Sequence, residues 1–347
     1  MRRTDDYVSF SPTQVGNFLA CQHLTRLELR VLDGELERPG QNDIERRLLE
    51  KRGLEHERRV LEALRARGGQ VVEIEAGVGS AALQKAAAAT LAAMSAGADL
   101  IYQGTLLTPG WVGRPDFLRK VEGGGGRLPH HYEPMDAKLS RETKARAVLQ
   151  LCAYADQLAE LQGVFPRQFH VFPGGNRLEP LALLTADYDA YFRSVRRRLQ
   201  EFVSAAPTAP EPYPEPAEHC GICRFWKRCE DRRRSDDHLS LVAGISRRQR
   251  DRLSLAGVNR LEELGLLDRE RRIEGIQPEP LARVREQAAL QLRGRREGRA
   301  LYELLPAALP NVGLAALPKP TPGDLFLDLE GDSFVVDEGL EYLFGLV

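Results

Sequence analysis

The change of hydrophobic period near residue 100 constrains the fold of this chain more than any other feature. Residues 43–67 (DIERRLLEKRGLEHERRVLEALRAR) carry Leu48, Leu49, Val60, Leu61 and Leu64 at helical spacing, and the alanine-rich stretch 80–96 is helical as well. The pattern then turns to strands at 100–107 (LIYQGTLL) and 111–121 (WVGRPDFLRKV), joined by a Pro-Gly turn at 109–110. A glycine loop at 123–126 leads to a third strand at 131–139 (HYEPMDAKL). The helical period returns over 141–162 and stops at Gly163. Strands at 167–172 and 178–184 flank the turn Pro173-Gly174-Gly175-Asn176, and a helix over 186–203 closes the block. This order predicts an α/β fold, a mixed sheet flanked by helices.

At 347 residues the chain exceeds one ordinary domain. The proline-rich stretch 207–216 (PTAPEPYPEP) reads as a stiff linker. Beyond it, 239–265 reads as two short helices joined at Gly257, and a further helix spans about 280–298. A second proline-rich linker covers 305–322, followed by a strand (DLFLDLEGD) and the apolar LEYLFGLV. The expected division is 1–235, 236–304 and 305–347. Net charge is −1, so nucleic-acid binding would rest on local arginine clusters at 193–198, 224–234 and 247–252. The plainer reading of each is a solvated helix face. No apolar run approaches the roughly 18 residues that span a bilayer, and the first residues lack the apolar stretch of a signal peptide. The expectation is a cytoplasmic protein with no membrane partner.

The chemistry lies on the third strand. Asp136 and Lys138 stand at i and i+2, which places a carboxylate and an ammonium on one face. Alone, such a pair is an ordinary surface ion pair. Pro115-Asp116 lies twenty residues earlier on the neighbouring strand, about 5 Å away in an antiparallel pair, so the two carboxylates can share a divalent cation. Pro115 cannot donate to a ladder, which favours an edge or bulge at Asp116. His56 is offered by the first helix, and Gln150 and Tyr154 occupy i and i+4 of the helix after Lys138.

Taken in order, Pro115-Asp116 and Asp136-x-Lys138 resemble the defining pattern of PD-(D/E)XK nucleases, whose fold is the restriction-endonuclease-like mixed sheet. Gly53-x-x-His56 before it and Gln150-x-x-x-Tyr154 after it resemble the RecB-like branch. The resemblance implies that His56, Asp116 and Asp136 bind Mg²⁺ or Mn²⁺ with help from the Ala137 carbonyl. It implies that Lys138 is catalytic and that Gln150 and Tyr154 support the site and the DNA strand. The implied activity is a deoxyribonuclease, an exonuclease acting in repair or recombination on DNA with a single-stranded end, with a helicase in the same or another chain. Two other classes fit parts of the pattern: a non-catalytic DNA-binding module of a helicase complex, and a zinc-stapled structural protein.

Cys220-x2-Cys223-x5-Cys229 supplies three thiolates, and a tetrahedral site needs a fourth. Cys21, Cys152 and His219 are the candidates, with Cys152 reading as a small core residue. A lone N-terminal cysteine with a C-terminal C-x2-C-x5-C resembles the iron–sulfur staple of AddB-type and CRISPR-associated RecB-like nucleases, which implies a [4Fe–4S] cluster on Cys21, Cys220, Cys223 and Cys229. Zinc is the rival metal. Residues 244–265 have the loose outline of a helix–hairpin–helix, a phosphate-contacting element, and read equally as a small helical packing element. Asp328-x-Glu330 and the apolar strand after it resemble the opening hairpin of an RNase H-like exonuclease domain. That domain needs further acids downstream, so the expectation is an incomplete start of such a domain, in which these two residues do not catalyse.

Overall fold

The computed structural model describes residues 1–3, 8–40, 44–75, 77–123, 126–175, 178–304, 313–332 and 339–347. The first residue of the expected helix 43–67, residues 124–125 of the glycine loop, Asn176 and residues 305–312 of the second linker lie outside these. The chain forms two compact units, Met1–Pro212 with Glu330–Leu343, and Tyr213–Leu329 with Phe344–Val347. The break falls inside the proline-rich stretch 207–216.

In chain order the first unit contains β1 (Arg2–Arg3), β2 (Val8–Ser9), α1 (Thr13–Ala20), α2 (Gln22–Leu32), α3 (Ile44–Ala66), β3 (Val71–Glu73) and α4 (Ser80–Ala96). There follow β4 (Leu100–Tyr102), β5 (Leu106–Thr108), β6 (Trp111–Gly113), β7 (Phe117–Val121), β8 (His131–Ala137) and α5 (Ala145–Gln162). β9 (Gln168–Phe172), β10 (Leu181–Leu184) and α6 (Ala186–Ala205) complete it. Six strands form one mixed sheet in the order β10-β9-β8-β7-β4-β3. β7 is antiparallel to both β4 and β8, while β8 and β9 run parallel, as do β3 and β4. This is the α/β architecture that the alternating periods predict.

β8 is central and buried along nearly its whole length, so both of its faces pack. On one face Tyr132 joins Ile101, Leu118, Phe169 and Val171 in a core closed by Leu151, Leu158 and Val195 of α5 and α6. On the other, Met135, Phe117, Leu100 and Phe172 meet Val60 and Leu61 of α3. Burying each large apolar side chain stabilises by about 1.5–3 kcal/mol, so α3 and α5 clamp β8 from opposite sides.

The structure differs from the sequence reading in three places. Both predicted strands of the first hairpin are split: 100–107 breaks at Gln103-Gly104-Thr105, and 111–121 breaks at Arg114-Pro115-Asp116. β5 and β6 then pair separately across the Pro-Gly turn. Pro115 thus precedes an inner strand rather than sitting on a sheet edge. Leu48 and Leu49 are 49% and 47% exposed, so the apolar stripe of α3 packs only in its C-terminal half. Finally, α1, α2 and β3 were not anticipated, although Val15, Phe18, Leu24 and Leu27 bury one side of the helix pair.

The second unit contains α7 (Trp226–Ser235), α8 (Arg247–Leu255), α9 (Leu261–Gly265) and α10 (Pro278–Glu297). Leu253, Val258, Leu261, Leu264, Leu281, Val284 and Ala288 form its core. The turn after α8 uses Gly257 at φ +81°, where a side chain would strain. β11 (Leu327–Asp332) and β12 (Leu340–Leu346) pair as a two-stranded sheet with mostly exposed side chains. Among the described residues no helix is long and apolar enough to cross a membrane.

Candidate active site

The break before β7 and the end of β8 bring two carboxylates face to face. Phe117 pairs with Met135 in an antiparallel ladder, so Asp116 comes to stand opposite Asp136. The two interlock through the backbone: the Asp116 N–H donates to Asp136 Oδ1 at 3.1 Å, and the Ala137 N–H donates to Asp116 Oδ2 at 2.8 Å. Asp136 is fully buried. Lys138, two residues on and therefore on the same face, donates to Asp136 Oδ2 at 2.7 Å.

This arrangement is electrostatically tense. Burial, and then the Asp136 charge, push the Asp116 carboxyl well above the ordinary carboxylate range. Burial alone lowers the Lys138 ammonium, but Asp136 and Asp116 outweigh it and the net shift is upward. Lys138 is therefore held cationic at neutral pH.

Gln150 and Tyr154 meet as expected from their i, i+4 spacing. Gln150 Nε2 donates to the Tyr154 hydroxyl at 2.8 Å, and that hydroxyl donates to the Arg114 carbonyl at 2.9 Å. The pair thus pins the turn that carries Asp116. The close approach needs Gly113, because a Cβ there would stand 2.9 Å from the Tyr154 ring. The outer side of this support opens on a cleft of about 440 Å³ lined by Ser9, Ser11, Thr13, Arg114, Gln150 and Tyr154.

His56 is buried on α3, with Nε2 3.3 Å from the Phe172 carbonyl. That carbonyl also accepts the Lys138 backbone N–H at 2.9 Å, so the imidazole meets the end of β9 beside the Lys138 main chain. Desolvation lowers its pKa. The next residue, Glu57, was missed. It is also buried, and its charge acts on both Asp116 and Lys138. Glu55, His56 and Glu57 are consecutive on a helix, about 100° apart around its axis. Only packing decides which one faces the sheet, and Glu55 stays exposed.

The residues present fit a hard divalent cation. The tension between two adjacent carboxylates is of the kind a cation relieves, and the donors are oxygens. Among the described residues no three His, Cys, Asp or Glu side chains converge as a closed cage. Two carboxylates that leave the other positions to carbonyl, water and phosphate oxygens suit Mg²⁺, which is bound this way in phosphoryl-transfer sites.

The expected iron–sulfur staple is not supported. Cys220, Cys223 and Cys229 are among the residues that form no metal-holding group. Cys220 Sγ accepts the Ala217 N–H at 3.4 Å and Cys229 is buried. Cys21 Sγ caps α2 by accepting the Leu24 N–H at 3.3 Å. Cys152 is a core residue, its thiol pushed up to about 12 by burial. The arginine clusters follow the plainer reading where ion pairs show it: Arg193–Asp189, Arg197–Glu201, Arg232–Asp236 and Arg234–Glu230 are i, i+4 pairs on helix surfaces. Comparison with curated proteins gives no match. The model of the PD-(D/E)XK nuclease superfamily matches residues 17–230, more than half of the chain, and the chain belongs to that superfamily.

Proposed function

We propose that this chain is a metal-dependent deoxyribonuclease that hydrolyses phosphodiester bonds at the Asp116–Asp136–Lys138 site. The observation that supports it most is the meeting of two carboxylates from adjacent strands with one lysine. A fold has no structural reason to keep like charges together in a buried place, and such pairs mark functional sites.

Asp116, Asp136 and the Ala137 carbonyl are the groups to hold Mg²⁺ or Mn²⁺. Glu57 is the further carboxylate that α3 brings toward them, and His56 is the ligand that the RecB-like pattern implies. When bound, the metal supplies an activated water and neutralises charge on the scissile phosphate. Lys138, kept protonated by its carboxylate neighbours, stabilises negative charge that grows on the phosphate oxygens. Tyr154 and Gln150 hold the Asp116 turn in place and face the cleft in which a flanking nucleotide can lie.

The finer parts of the reading rest on motif order: RecB-like kinship, exonuclease action on a single-stranded end, a role in repair or recombination, and a helicase partner. The [4Fe–4S] assignment on Cys21, Cys220, Cys223 and Cys229 rests on the cysteine spacing together with the nuclease resemblance, and spacing alone leaves zinc equally open. Iron content and visible absorbance of anaerobically purified protein test it, and a colourless, iron-free chain excludes it. The central reading is tested by incubating the protein with end-labelled single- and double-stranded DNA and Mg²⁺ or Mn²⁺. Metal-dependent shortening of the label is expected. No cleavage of either substrate with either metal contradicts it.

A further inference from the structure

The break between β4 and β5 is made by a residue with an uncommon backbone. Gln103 has φ +55°, a left-handed conformation that residues with a Cβ rarely adopt. The sequence offers glycine at the very next position, yet the left-handed turn is taken by Gln103. Such a residue persists where its surroundings over-determine it, typically at functional sites.

What holds Gln103 is a double attachment. Its backbone N–H donates to the Asp116 carbonyl at 2.8 Å, at the residue just before β7. Its side-chain Nε2 donates to Glu57 Oε1 on α3. Tyr102, beside it, reaches the same carboxylate: burial, and then the hydrogen bond to Glu57, push the Tyr102 phenol up to about 12. One dipeptide therefore holds the Glu57 carboxylate of the helix and the main chain at Asp116 together. A polar side chain at an extended position would point elsewhere; the left-handed turn lets backbone and side chain bond in these two directions.

We propose that Gln103 is a positioning residue of the site, a clasp that ties the Glu57 carboxylate of α3 to the turn that carries Asp116 and so fixes where Asp116 stands. This rests on the nuclease reading and deepens it. Residues that hold metal-site groups in place characteristically change metal affinity by 10- to 100-fold when replaced.

The test measures Mn²⁺ binding to the full chain by electron paramagnetic resonance, alongside thermal unfolding without metal. Gln103→Asn tolerates the left-handed turn but is one methylene too short to reach Glu57. Gln103→Gly removes the strain and the side-chain half of the clasp while keeping the backbone bond to Asp116. Both are expected to bind Mn²⁺ 10- to 100-fold more weakly with an unfolding midpoint no lower than that of the wild type. Wild-type affinity in Gln103→Asn overturns the proposal. So does a loss of affinity matched by a lowered midpoint in both single variants. A wild-type chain that neither binds Mn²⁺ nor cleaves DNA removes the nuclease reading and this proposal with it. A wild type that does both, with Gln103→Asn unchanged, removes the clasp alone.

Discussion

Two buried carboxylates lie three residues apart on β8, and they live in opposite circumstances. Glu133 points to the α3 face of the sheet, where it is satisfied from several sides. His170 Nε2 lies 2.9 Å from Oε2, Arg119 donates to the same oxygen at 3.0 Å, and the Gln168 N–H donates to Oε1 at 3.0 Å. Burial opposes its charge, but His170 and Arg119 outweigh burial and hold its pKa below the ordinary value. Asp136 points to the other face, where one lysine and one backbone N–H serve it while a second carboxylate stands against it. The strand and the depth are the same; the neighbours differ. A buried acid kept for the fold collects cations and donors, whereas one kept for chemistry is left beside another acid.

This contrast can be broken from either side. The largest effect is expected at Lys138. Lys138→Ala should reduce metal-dependent DNA cleavage by at least ~10²-fold, in line with removal of one charge-stabilising group, while circular dichroism stays native. A variant that keeps more than half the wild-type rate removes Lys138 from the chemistry. Glu133→Leu should act on the fold instead. It strands part of a buried ion-pair network and should lower unfolding free energy by about 3 kcal/mol, read by urea denaturation, with the rate per folded molecule retained. A stability change under ~0.5 kcal/mol there would mean that the network is dispensable.

Asp116→Asn should move stability the other way. Relieving the repulsion should make the metal-free chain more stable by roughly 0.5–2 kcal/mol, the usual exchange of function for stability, and should erase the stabilisation that Mn²⁺ confers on the wild type. A metal-free variant less stable than the wild type contradicts the tension argument.

The pH dependence has opposite signs at the two acids. The folded pKa of Glu133 is depressed, so its contribution is present above the unfolded value and is lost as pH falls through the folded one. The folded pKa of Asp116 is raised, so the metal-free fold loses stability as pH rises from the unfolded value to the folded one. Glu133→Gln should flatten the acid limb of the stability curve, and Asp116→Asn should remove the loss on the rising side. In the second unit, Glu215 gives an independent check of the first sign. Its hydrogen bond from His238, with Arg250 close behind, brings it from 4.5 to about 2, so Glu215→Gln should flatten acid unfolding over that interval. The smallest effect is expected at the exposed half of α3, where Leu49→Glu should change stability by no more than about 0.5 kcal/mol.

Much of the site was legible because a strand has a fixed period. Asp136 and Lys138 share a face by spacing alone, and the proline before Asp116 marks where the neighbouring strand starts. Gln150 and Tyr154 follow from helical spacing in the same way. The helix contribution was less legible. His56 and its neighbour Glu57 differ by one step around α3, and only the packed sheet shows which carboxylate acts on Asp116. Gln103 was hidden by composition: LIYQGTLL has the residues of one continuous strand, and nothing local announces a left-handed turn. The helices before residue 33 are short, and Val15, Phe18, Leu24 and Leu27 are too few to establish a helical period until the pair packs. The exposed leucines of α3 show the converse: the periodic apolar stripe runs further along the helix than the sheet that buries it.

The central claim is that function is confined to one of the two carboxylates of β8. Cleavage of end-labelled DNA with Mn²⁺, measured for Asp136→Asn and Glu133→Gln at equal folded concentration, tests it most directly. The account predicts no metal-dependent product from Asp136→Asn and near wild-type product from Glu133→Gln; wild-type cleavage by Asp136→Asn would contradict it.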